Sequence, residues 1–523
     1  MGSDTLTLTQ LSALDLAARI ARGDVSVVEV VEAYIARIEA VNPALNAVVV
    51  KRYDAARAEA RAADERRARG EPLPPLHGVP ITVKDALDLA GLPSTFGIPS
   101  LARNIPDEDV AYVARMRQAG AIVLGKTNLA QAMLYIESDN PVYGRTNNPW
   151  NLARSSGGSS GGESAIIAAG GSPLGVGTDL GGSLRLPASF TGIVALKSTN
   201  GRLPDPGRYS MPIGQRAVVS QVGALGRTTD DVALAIEILN GGRAPAVEPP
   251  MPLGDLNTVD VSRLRVAYYT DDGTLAVSSA VRRAVIDAAG MLAGRGAQVL
   301  EWSPPDVLQA VDLFYGLLSS DGGATLGAIL RGTQKDPRIA QLLTLASAPT
   351  PMLAGVRGLL RATGQRRTLE VARNFGQRHT VDYWRLVEAQ MAYQQRFLLA
   401  LETDDGGPFD IIICPACAVP AIPHGASKDL MTAGGYEVLY NLLGYPAGSV
   451  PVTRVRADEE SPRRRSRDRV EQAARQAEQG SAGLPIGVQV VARPWREHVA
   501  LAAMRAIEED ARKRADFPAS PPL

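Results

Sequence analysis

Two short turns rich in glycine each carry a serine that could act as a nucleophile. Residues 157–162 read GGSSGG around Ser159, and residues 177–185 read GTDLGGSLR around Ser183. Because glycine has no Cβ, backbone N–H groups in such turns can approach a substrate oxygen closely and stabilise the negative charge that develops on it. A serine beside such N–H groups is what attack on an amide carbonyl requires, so the two turns favour amide hydrolysis.

A serine nucleophile also needs a base, and Lys84 is the candidate that the sequence offers. It ends an apolar run, residues 76–84 (LHGVPITVK), that is typical of a buried strand. A lysine removed from water has a lowered pKa and can accept a proton near neutral pH. Only seven of the 55 basic residues are lysines. Since arginine keeps its charge at any working pH, a lysine inside a motif of this chain is the better candidate for a base.

The elements that would position these residues alternate between helix and strand, which predicts an α/β class with helices covering a sheet. Helical periodicity covers residues 8–49, where Asp24 and Ser26 supply N-cap chemistry for the second stretch. The Gly- and Ser-rich stretch 155–192 also carries apolar residues, which favours tight turns at a buried site over a linker. Further strand-like segments lie at 121–124, 264–269, 298–302, 411–414, 449–455 and 487–492.

Charge and composition exclude several classes of protein. The 55 basic residues equal the 55 acidic ones, so no basic excess exists for binding nucleic-acid phosphates. Aromatic residues, at 5%, are too few for base-stacking platforms. Two cysteines cannot build a disulfide scaffold and fit a reducing compartment. With no transmembrane-length apolar run and no secretory signal, we expect a cytoplasmic protein with no stable membrane anchor and no nucleic-acid partner.

Two motifs match functional patterns without the context that those patterns need. Residues 120–127 (GAIVLGKT) match the P-loop, but a predicted helix precedes them and their apolar spacer is itself a predicted strand. Cys414 and Cys417 form a C-x-x-C pair, but a zinc site needs a second pair of ligands and the four histidines are scattered. We therefore predict no nucleotide site, no metal and structural burial of both cysteines.

Ser159 also satisfies a second catalytic pattern, which leaves an alternative open. Residues 157–161 match G-x-S-x-G, the nucleophile elbow of α/β-hydrolases, whose triad needs an acid and then a histidine later in the chain. His498 is the available histidine, in a segment that reads as the start of a surface helix. An α/β-hydrolase-type esterase with Ser159 as nucleophile and His498 as base is therefore the runner-up.

Together the serine and lysine blocks resemble the amidase signature family. The resemblance rests on residues 157–163, on residues 177–188 and on Lys84 within residues 78–85, at the family's spacing. It covers nearly the whole chain and implies a single α/β/α domain over residues 1–523, with a large mixed β-sheet, a core motif region at 76–200 and no cofactor. Segments similar to fatty acid amide hydrolases and to bacterial amidases like them are 171–177, 436–441, 445–453 and 483–492.

The resemblance also implies a role for each matched residue. Ser183 would attack the carbonyl, Ser159 beside a cis peptide would relay protons, and Lys84 would act as the base and then as the acid for the leaving amine. The backbone N–H groups of the oxyanion hole would be those of Leu180, Gly181, Gly182 and Ser183. Residues expected to support the site or to line an acyl channel are Gly158, Ser160, the buried pair Asp179 and Arg185, and, in the channel, Met133 and Leu134.

The substrate that the resemblance implies is a small-molecule amide with an apolar acyl or aryl part, with esters and carbamates (urethanes) as further substrates. A helical lid or cap is expected at 330–375, where residues 352–361 carry an apolar helical face that fits a lid, a membrane contact or a homodimer contact. The charged run 456–480 is expected to be a surface insertion. Two more alternatives stay open: the glutamine-hydrolysing subunit of a tRNA-dependent amidotransferase, and a non-catalytic binding protein.

Overall fold

The core of the protein is an eleven-stranded sheet. The structure is a computed structural model, and it describes residues 8–203, 214–241, 251–373, 375–403, 406–460 and 463–523. Four further strands form two separate two-stranded sheets. In chain order the strands are β1 Val48–Lys51, β2 Pro80–Lys84, β3 Ile122–Thr127, β4 Asp139–Asn140, β5 Gly144–Arg145, β6 Asn147–Asn148, β7 Asn151–Ser155, β8 Leu174–Asp179, β9 Val194–Lys197, β10 Gln221–Gly226, β11 Arg265–Tyr268, β12 Gln298–Glu301, β13 Ile411–Pro415, β14 Ala447–Arg454 and β15 Pro485–Ala492.

The strand order of the large sheet is β1-β3-β2-β8-β10-β9-β14-β15-β13-β11-β12. Strand β2 runs parallel to β3 and β8, and β11 runs parallel to β12 and β13, while the other neighbours are antiparallel. Strands β2, β8, β13 and β15 are buried along their whole length. Strands covered on both faces are apolar nearly throughout, which is why their sequences read as continuous apolar runs. The predicted α/β class with a large mixed sheet is confirmed.

Helices flank the sheet, and their starts follow the capping residues of the sequence. Ser26 caps the second helix in a capping box, in which its hydroxyl accepts the N–H of Glu29 and the Glu29 carboxylate accepts the N–H of Ser26. The helices are α1 Ala13–Arg22, α2 Val27–Leu45, α3 Tyr53–Ala68, α4 Ala111–Gln118, α5 Gly161–Ala168, α6 Arg185–Thr191, α7 Thr229–Asn240, α8 Ser279–Gly294, α9 Val307–Leu318, α10 Ala324–Ile329, α11 Pro337–Ala346, α12 Thr350–Ala362, α13 Arg366–Ala372, α14 Thr380–Glu402, α15 Gly435–Leu443, α16 Arg469–Glu478 and α17 Glu497–Ala511.

The stretch 155–192 is buried structure, as its apolar residues predict. It contains strand β8 with helices α5 and α6, and almost every residue of the three elements is buried. The P-loop-like residues 120–127 follow helix α4 and form strand β3, so their spacer is a strand, as predicted. Cys414 and Cys417 are buried free thiols, which confirms that they are packing residues.

The predicted lid and the predicted surface insertion both contain helices, and these helices differ in how much of them is buried. Residues 330–375 contain α11, α12 and α13, with residue 374 outside the described residues; α12 buries only Leu353, while 64% of Leu359 is exposed. In the run 456–480, residues 461 and 462 lie outside the described residues, and α16 forms a surface helix. That helix is not wholly solvated, because alanines spaced along one face are buried.

No single helix in the described part of the chain is long and apolar enough to cross a membrane. Helices α11 and α12 reach the length and apolar composition of a span only when they are counted together, and they meet at an angle of 117°.

Gly223 lies in β10 between β8 and β9, where a side chain has no room. A Cβ at this position would overlap the carbonyl oxygen of Leu196 and lie 2.5 Å from Cδ1 of Leu184. We expect Gly223→Ala to lower the free energy of unfolding by about 1–3 kcal/mol, because the strands must shift to admit the methyl group. Gly290→Ala, at an open position of α8, is the matched control and should raise that free energy by about 0.5–1 kcal/mol. Equal effects of the two variants on urea unfolding would contradict this packing.

Candidate active site

The candidate site lies at one edge of the large sheet, where two parallel strands end side by side. Lys84 is the last residue of β2, Thr178 and Asp179 are the last residues of β8, and the two strands are paired. Parallel neighbours present their carboxyl ends at the same edge of a sheet, where α/β proteins bind ligands. Helix α5 begins directly after Ser159 and Ser160, and helix α6 begins soon after Ser183.

The amine of Lys84 is fully buried and contacts two hydroxyl groups. Its Nζ atom donates hydrogen bonds to Ser159 Oγ at 2.8 Å and to Thr178 Oγ1 at 2.9 Å. Burial lowers the pKa of Lys84 to about 7, against the opposing effect of the carboxylates of Asp179, Glu163 and Asp85. A substantial fraction of this lysine is therefore an uncharged amine at neutral pH, able to take a proton from Ser159.

Two other buried lysines, Lys126 and Lys197, do not contact either of the motif serines Ser159 and Ser183. Lys126 donates to the carbonyl oxygen of Pro93 and the hydroxyl of Ser94, and Lys197 donates to the carbonyl oxygens of Ser198 and Tyr445. Both therefore tie loops to the sheet, which fits structural roles.

Ser159 is held by the peptide on either side of it. The Gly158–Ser159 peptide bond is cis, and the Ser159 carbonyl oxygen accepts hydrogen bonds from Ala130 N at 3.4 Å and Ser138 Oγ at 3.2 Å. A Cβ on Gly158 would lie 2.6 Å from the backbone nitrogen of Glu137. Glycine at 158 is therefore required by this packing, in agreement with its predicted supporting role.

Ser183 opens on the same narrow recess as Ser159. The recess is lined by both serines together with Thr178 and Leu180. Ser159 is fully buried and Ser183 is partly exposed, and Ser160, through its backbone N–H, donates to the Ser183 carbonyl oxygen at 3.3 Å. The structure thus brings Lys84, Ser159 and Ser183 together, with Lys84 and Ser159 fully buried and Ser183 partly exposed.

The turn before Ser183 offers fewer free amides than the sequence indicates. Gly182 N donates to Asp179 Oδ1 at 2.8 Å, so this amide already has an acceptor, and its place in the oxyanion hole stays a prediction. Its amide is taken because Asp179 folds back under the turn and needs donors for its buried charge. The N–H groups of Leu180, Gly181 and Ser183 have no hydrogen-bond acceptor among the described residues, and they remain the candidate donors.

The predicted pair of Asp179 and Arg185 is present and fully buried. Arg185 donates from Nε to Asp179 Oδ2 at 3.0 Å and from Nη2 to Asp179 Oδ1 at 2.9 Å. Burial alone would raise the pKa of the Asp179 carboxyl, but the guanidinium beside it holds that pKa well below its usual range. Because Asp179 also accepts the N–H of Leu184 at 3.1 Å, the pair fixes both sides of the turn that carries Ser183.

Several site residues were not predicted. Asn441 donates to Asp179 Oδ1 at 2.9 Å and accepts from Arg185 at 2.6 Å, and Gln489 also accepts from Arg185. Glu163 accepts the hydroxyl of Thr127 at 2.6 Å, and burial raises its pKa to about 7. Thr178 and Glu163 stand inside the two serine motifs and could have been proposed from them. No local signal connects Asn441 and Gln489 with a turn so distant in sequence.

A large apolar cavity opens beside Ser183. The empty space within it and in front of it is about 1090 Å³, a figure that includes open solvent. Met133, Leu134, Leu180, Gly181 and Ser183 line it, so the predicted channel residues do face the same space as the predicted nucleophile. Within the predicted lid, helix α11 and Phe375 supply the lining. The remaining lining residues are Tyr135, Ile136, Phe314, Tyr315, Leu318, Ser319, Asp321, Gly323, Leu326, Leu342, Leu343, Ala346, Met431, Gly434 and Val438.

His498 does not lie at this site. It is in the first turn of α17, where its ring lies close enough to Gly254 to exclude a Cβ there. The hydroxyl of Ser159 has Lys84 as its partner instead. The structure therefore gives no support to the pairing of Ser159 with His498.

The chain matches known proteins along most of its length. The sequence model of the Amidase family matches residues 29–501. Fatty-acid amide hydrolase 1 of Sus scrofa is 32% identical over 514 residues, which cover 97% of this chain and 86% of the relative. A glutamyl-tRNA(Gln) amidotransferase subunit of Acidothermus cellulolyticus is 33% identical over 461 residues, which cover 85% of this chain and 88% of the relative.

Solved structures show the same likeness in three dimensions. A fatty acid amide hydrolase superposes with a TM-score of 0.83 at 26% identity, covering 98% of this chain and 87% of its own. A bacterial aryl acylamidase of the amidase signature family superposes with a TM-score of 0.73 at 25% identity, covering 98% and 99%. These superpositions agree with the fold that the sequence predicts.

The buried ion pair generates a stability prediction. Arg185→Met should lower the free energy of unfolding by about 3–5 kcal/mol, because it leaves the buried Asp179 carboxylate without its cation. Arg385→Met breaks an exposed pair with Asp382, in which 73% of the arginine side chain is accessible, and should cost less than about 1 kcal/mol. Urea unfolding compares the two, and a similar loss in both variants would show that burial does not set the strength of the inner pair.

Proposed function

Because the chain belongs to the amidase family, whose members hydrolyse amide bonds, we propose that it acts through Lys84, Ser159 and Ser183 on amides with an apolar acyl or aryl part. One observation carries the proposal: a buried lysine with a pKa of about 7 donates to Ser159 Oγ at 2.8 Å, in a recess that Ser159 shares with Ser183. A base, a relay and a nucleophile are the parts that covalent amide hydrolysis needs.

In the first half-reaction Ser183 becomes acylated. The uncharged amine of Lys84 accepts the proton of the Ser159 hydroxyl, and Ser159 takes up the proton of Ser183. The Ser183 oxygen forms a bond to the carbonyl carbon, and the carbonyl π electrons move onto its oxygen. An electron pair on the oxyanion then re-forms the carbonyl as the C–N bond breaks; the electron pair of that bond stays on nitrogen, and the proton on Lys84 returns through Ser159 to that nitrogen. The free amine leaves and an ester of Ser183 remains.

In the second half-reaction water takes the place of Ser183. Water gives up a proton through Ser159 to Lys84 while its oxygen bonds to the acyl carbon. The oxyanion then re-forms the carbonyl as the ester C–O bond breaks, the electron pair of that bond stays on the Ser183 oxygen, the proton on Lys84 returns to it through Ser159, and the carboxylic acid leaves. In both halves the carbonyl oxygen becomes negative, and the N–H groups of Leu180, Gly181 and Ser183 are the donors that would stabilise it.

The cavity favours an apolar substrate over glutamine. Asp321 is the one charged side chain among the described residues that line the cavity, and its carboxylate already accepts the backbone N–H groups of Gly323 and Thr325. The carboxylate of glutamine would therefore meet no cation there, which disfavours the amidotransferase alternative despite the 33% identity to a protein of that kind. The names of the relatives suggest fatty acid amides and aryl amides, and both fit an apolar wall. Esters and carbamates present the same carbonyl to Ser183.

Product release from a small substrate panel tests the proposed nucleophile. The panel holds a short anilide, a long-chain fatty amide, an aryl carbamate and glutamine, and we expect turnover of at least one apolar member. Ser183→Ala should reduce that turnover by about a thousandfold or more, since only the oxyanion donors and binding remain. Ser262→Ala, in an exposed turn, is the control and should keep full activity.

Two results would count against this assignment. Activity that survives Ser183→Ala would place the nucleophile elsewhere and make Ser159 the candidate. Release of ammonia from glutamine as the main activity would favour the amidotransferase alternative.

The pH dependence of kcat/KM tests the proposed base. Lys84 must be uncharged to accept a proton, so kcat/KM should fall as the pH drops below about 7, the pKa to which burial lowers this lysine. Lys84→Met should abolish turnover, while Lys513→Met, at a surface position, should leave the profile unchanged. An activity that is flat between pH 5 and 9 in the parent protein would rule out a titrating lysine as the base.

A further inference from the structure

The wall of the cavity beside Ser183 is apolar except for a few side chains, and most of these are already hydrogen-bonded to the protein. The hydroxyl of Tyr135 donates to the carbonyl oxygen of Arg338 at 2.7 Å. The hydroxyl of Ser319 donates to the carbonyl oxygen of Tyr315 at 2.7 Å and accepts the N–H of Gly376 at 3.0 Å. With Asp321 satisfied by backbone N–H groups as well, these three residues offer little to a ligand.

Tyr315 differs from these three residues in its hydrogen bonding. Its side chain lines the same cavity, yet its hydroxyl has no hydrogen-bond partner among the described residues. Burial raises the pKa of Tyr315 above its ordinary value, so the group keeps its proton and can both donate and accept at neutral pH. Tyr315 is only half-buried, so an apolar ligand that displaced water from this hydroxyl without replacing the hydrogen bond would be bound less favourably, and phenylalanine would fill an apolar wall equally well.

Tyr315 lies near the turn that carries Ser183, as the contacts of its neighbour Phe314 indicate. The ring of the preceding residue, Phe314, lies against Gly181, so closely that a Cβ there would be 3.1 Å from Phe314 Cζ. The rings of Phe314 and Tyr315 meet edge to face with centroids 5.3 Å apart. Tyr315 therefore stands one ring beyond the turn that carries Ser183, beside the part of a substrate that extends away from its carbonyl.

We propose that the Tyr315 hydroxyl is a specificity determinant that hydrogen-bonds a polar group carried by the apolar part of the substrate, away from the scissile amide. Acyl or aryl groups bearing a hydroxyl, an ether, a carbonyl or a second amide at the matching distance would be preferred over plain hydrocarbons of the same length. The inference rests on the proposed function, since it takes the cavity beside Ser183 as the site of the substrate. A plain hydrocarbon would bury the hydroxyl without a partner, and this is the physical origin of the preference.

The test uses pairs of p-nitroanilides with acyl chains of equal length, from butanoyl to decanoyl. One member of each pair carries a plain alkanoyl group, and the other carries the same group with a hydroxyl on its ω carbon. We expect one or two chain lengths at which the ω-hydroxy member has a kcat/KM about three- to tenfold above its alkyl partner, the effect of one neutral hydrogen bond. Tyr315→Phe should remove this preference at those lengths. Tyr383→Phe deletes the same oxygen from helix α14, outside the cavity lining, and should leave the preference intact.

Three outcomes decide between the explanations. If the parent protein cleaves the alkyl members but shows no ω-hydroxy preference at any length, or if Tyr315→Phe changes both members of every pair by the same factor, Tyr315 is a wall residue and the inference is overturned. If no anilide is cleaved, the proposed function fails on this panel. Calorimetric titration of the same pairs into Ser183→Ala, with and without Tyr315→Phe, then decides the inference by itself: equal affinities within each pair overturn it.

Discussion

The burial of the Lys84 amine is the constraint on which the rest of the site depends. A charged ammonium at the end of a buried strand would lose its hydration, and this loss lowers its pKa to about 7. Two hydroxyl groups, that of Thr178 in β8 and that of Ser159 in the turn before α5, compensate in part, together with carboxylates that act over a longer range. A lysine closer to solvent would keep its proton, and one without hydroxyl partners would leave a buried polar group unsatisfied. The lowered pKa of Lys84 therefore depends on its position at the buried edge of the sheet.

The same edge must hold a second buried charge without disturbing the first. Asp179 follows directly on Thr178, and Arg185 neutralises it from the far side of the Ser183 turn. Because the guanidinium is also bound by Asn441 of α15 and Gln489 of β15, the turn is tied to strands and helices that come from the last fifth of the chain. The conformation of the turn that carries Ser183 therefore depends on the complete assembly of the sheet, and not on its own sequence alone.

This dependence explains which parts of the site were predictable. Lys84, Ser159, Ser183 and the pair of Asp179 and Arg185 are carried by short motifs, in which residue type and spacing state the chemistry. Asn441 and Gln489 reach the site only through sheet pairing and helix packing that no local pattern specifies. The occupied amide of Gly182 depends on the direction of one carboxylate. The fold class followed from apolar runs, while the buried alanine face of α16 was hidden by the charges around it.

The candidate catalytic residues and the far wall of the cavity lie in different layers of the molecule. Lys84, Ser159 and Ser183 belong to β2 and to the turns that lead into α5 and α6, whereas the far wall of the cavity belongs to α9, α10 and α11. Phe314 against Gly181 is one point at which the layers touch. Side chains of the outer layer can therefore differ in size or polarity without altering the burial that sets the pKa of Lys84.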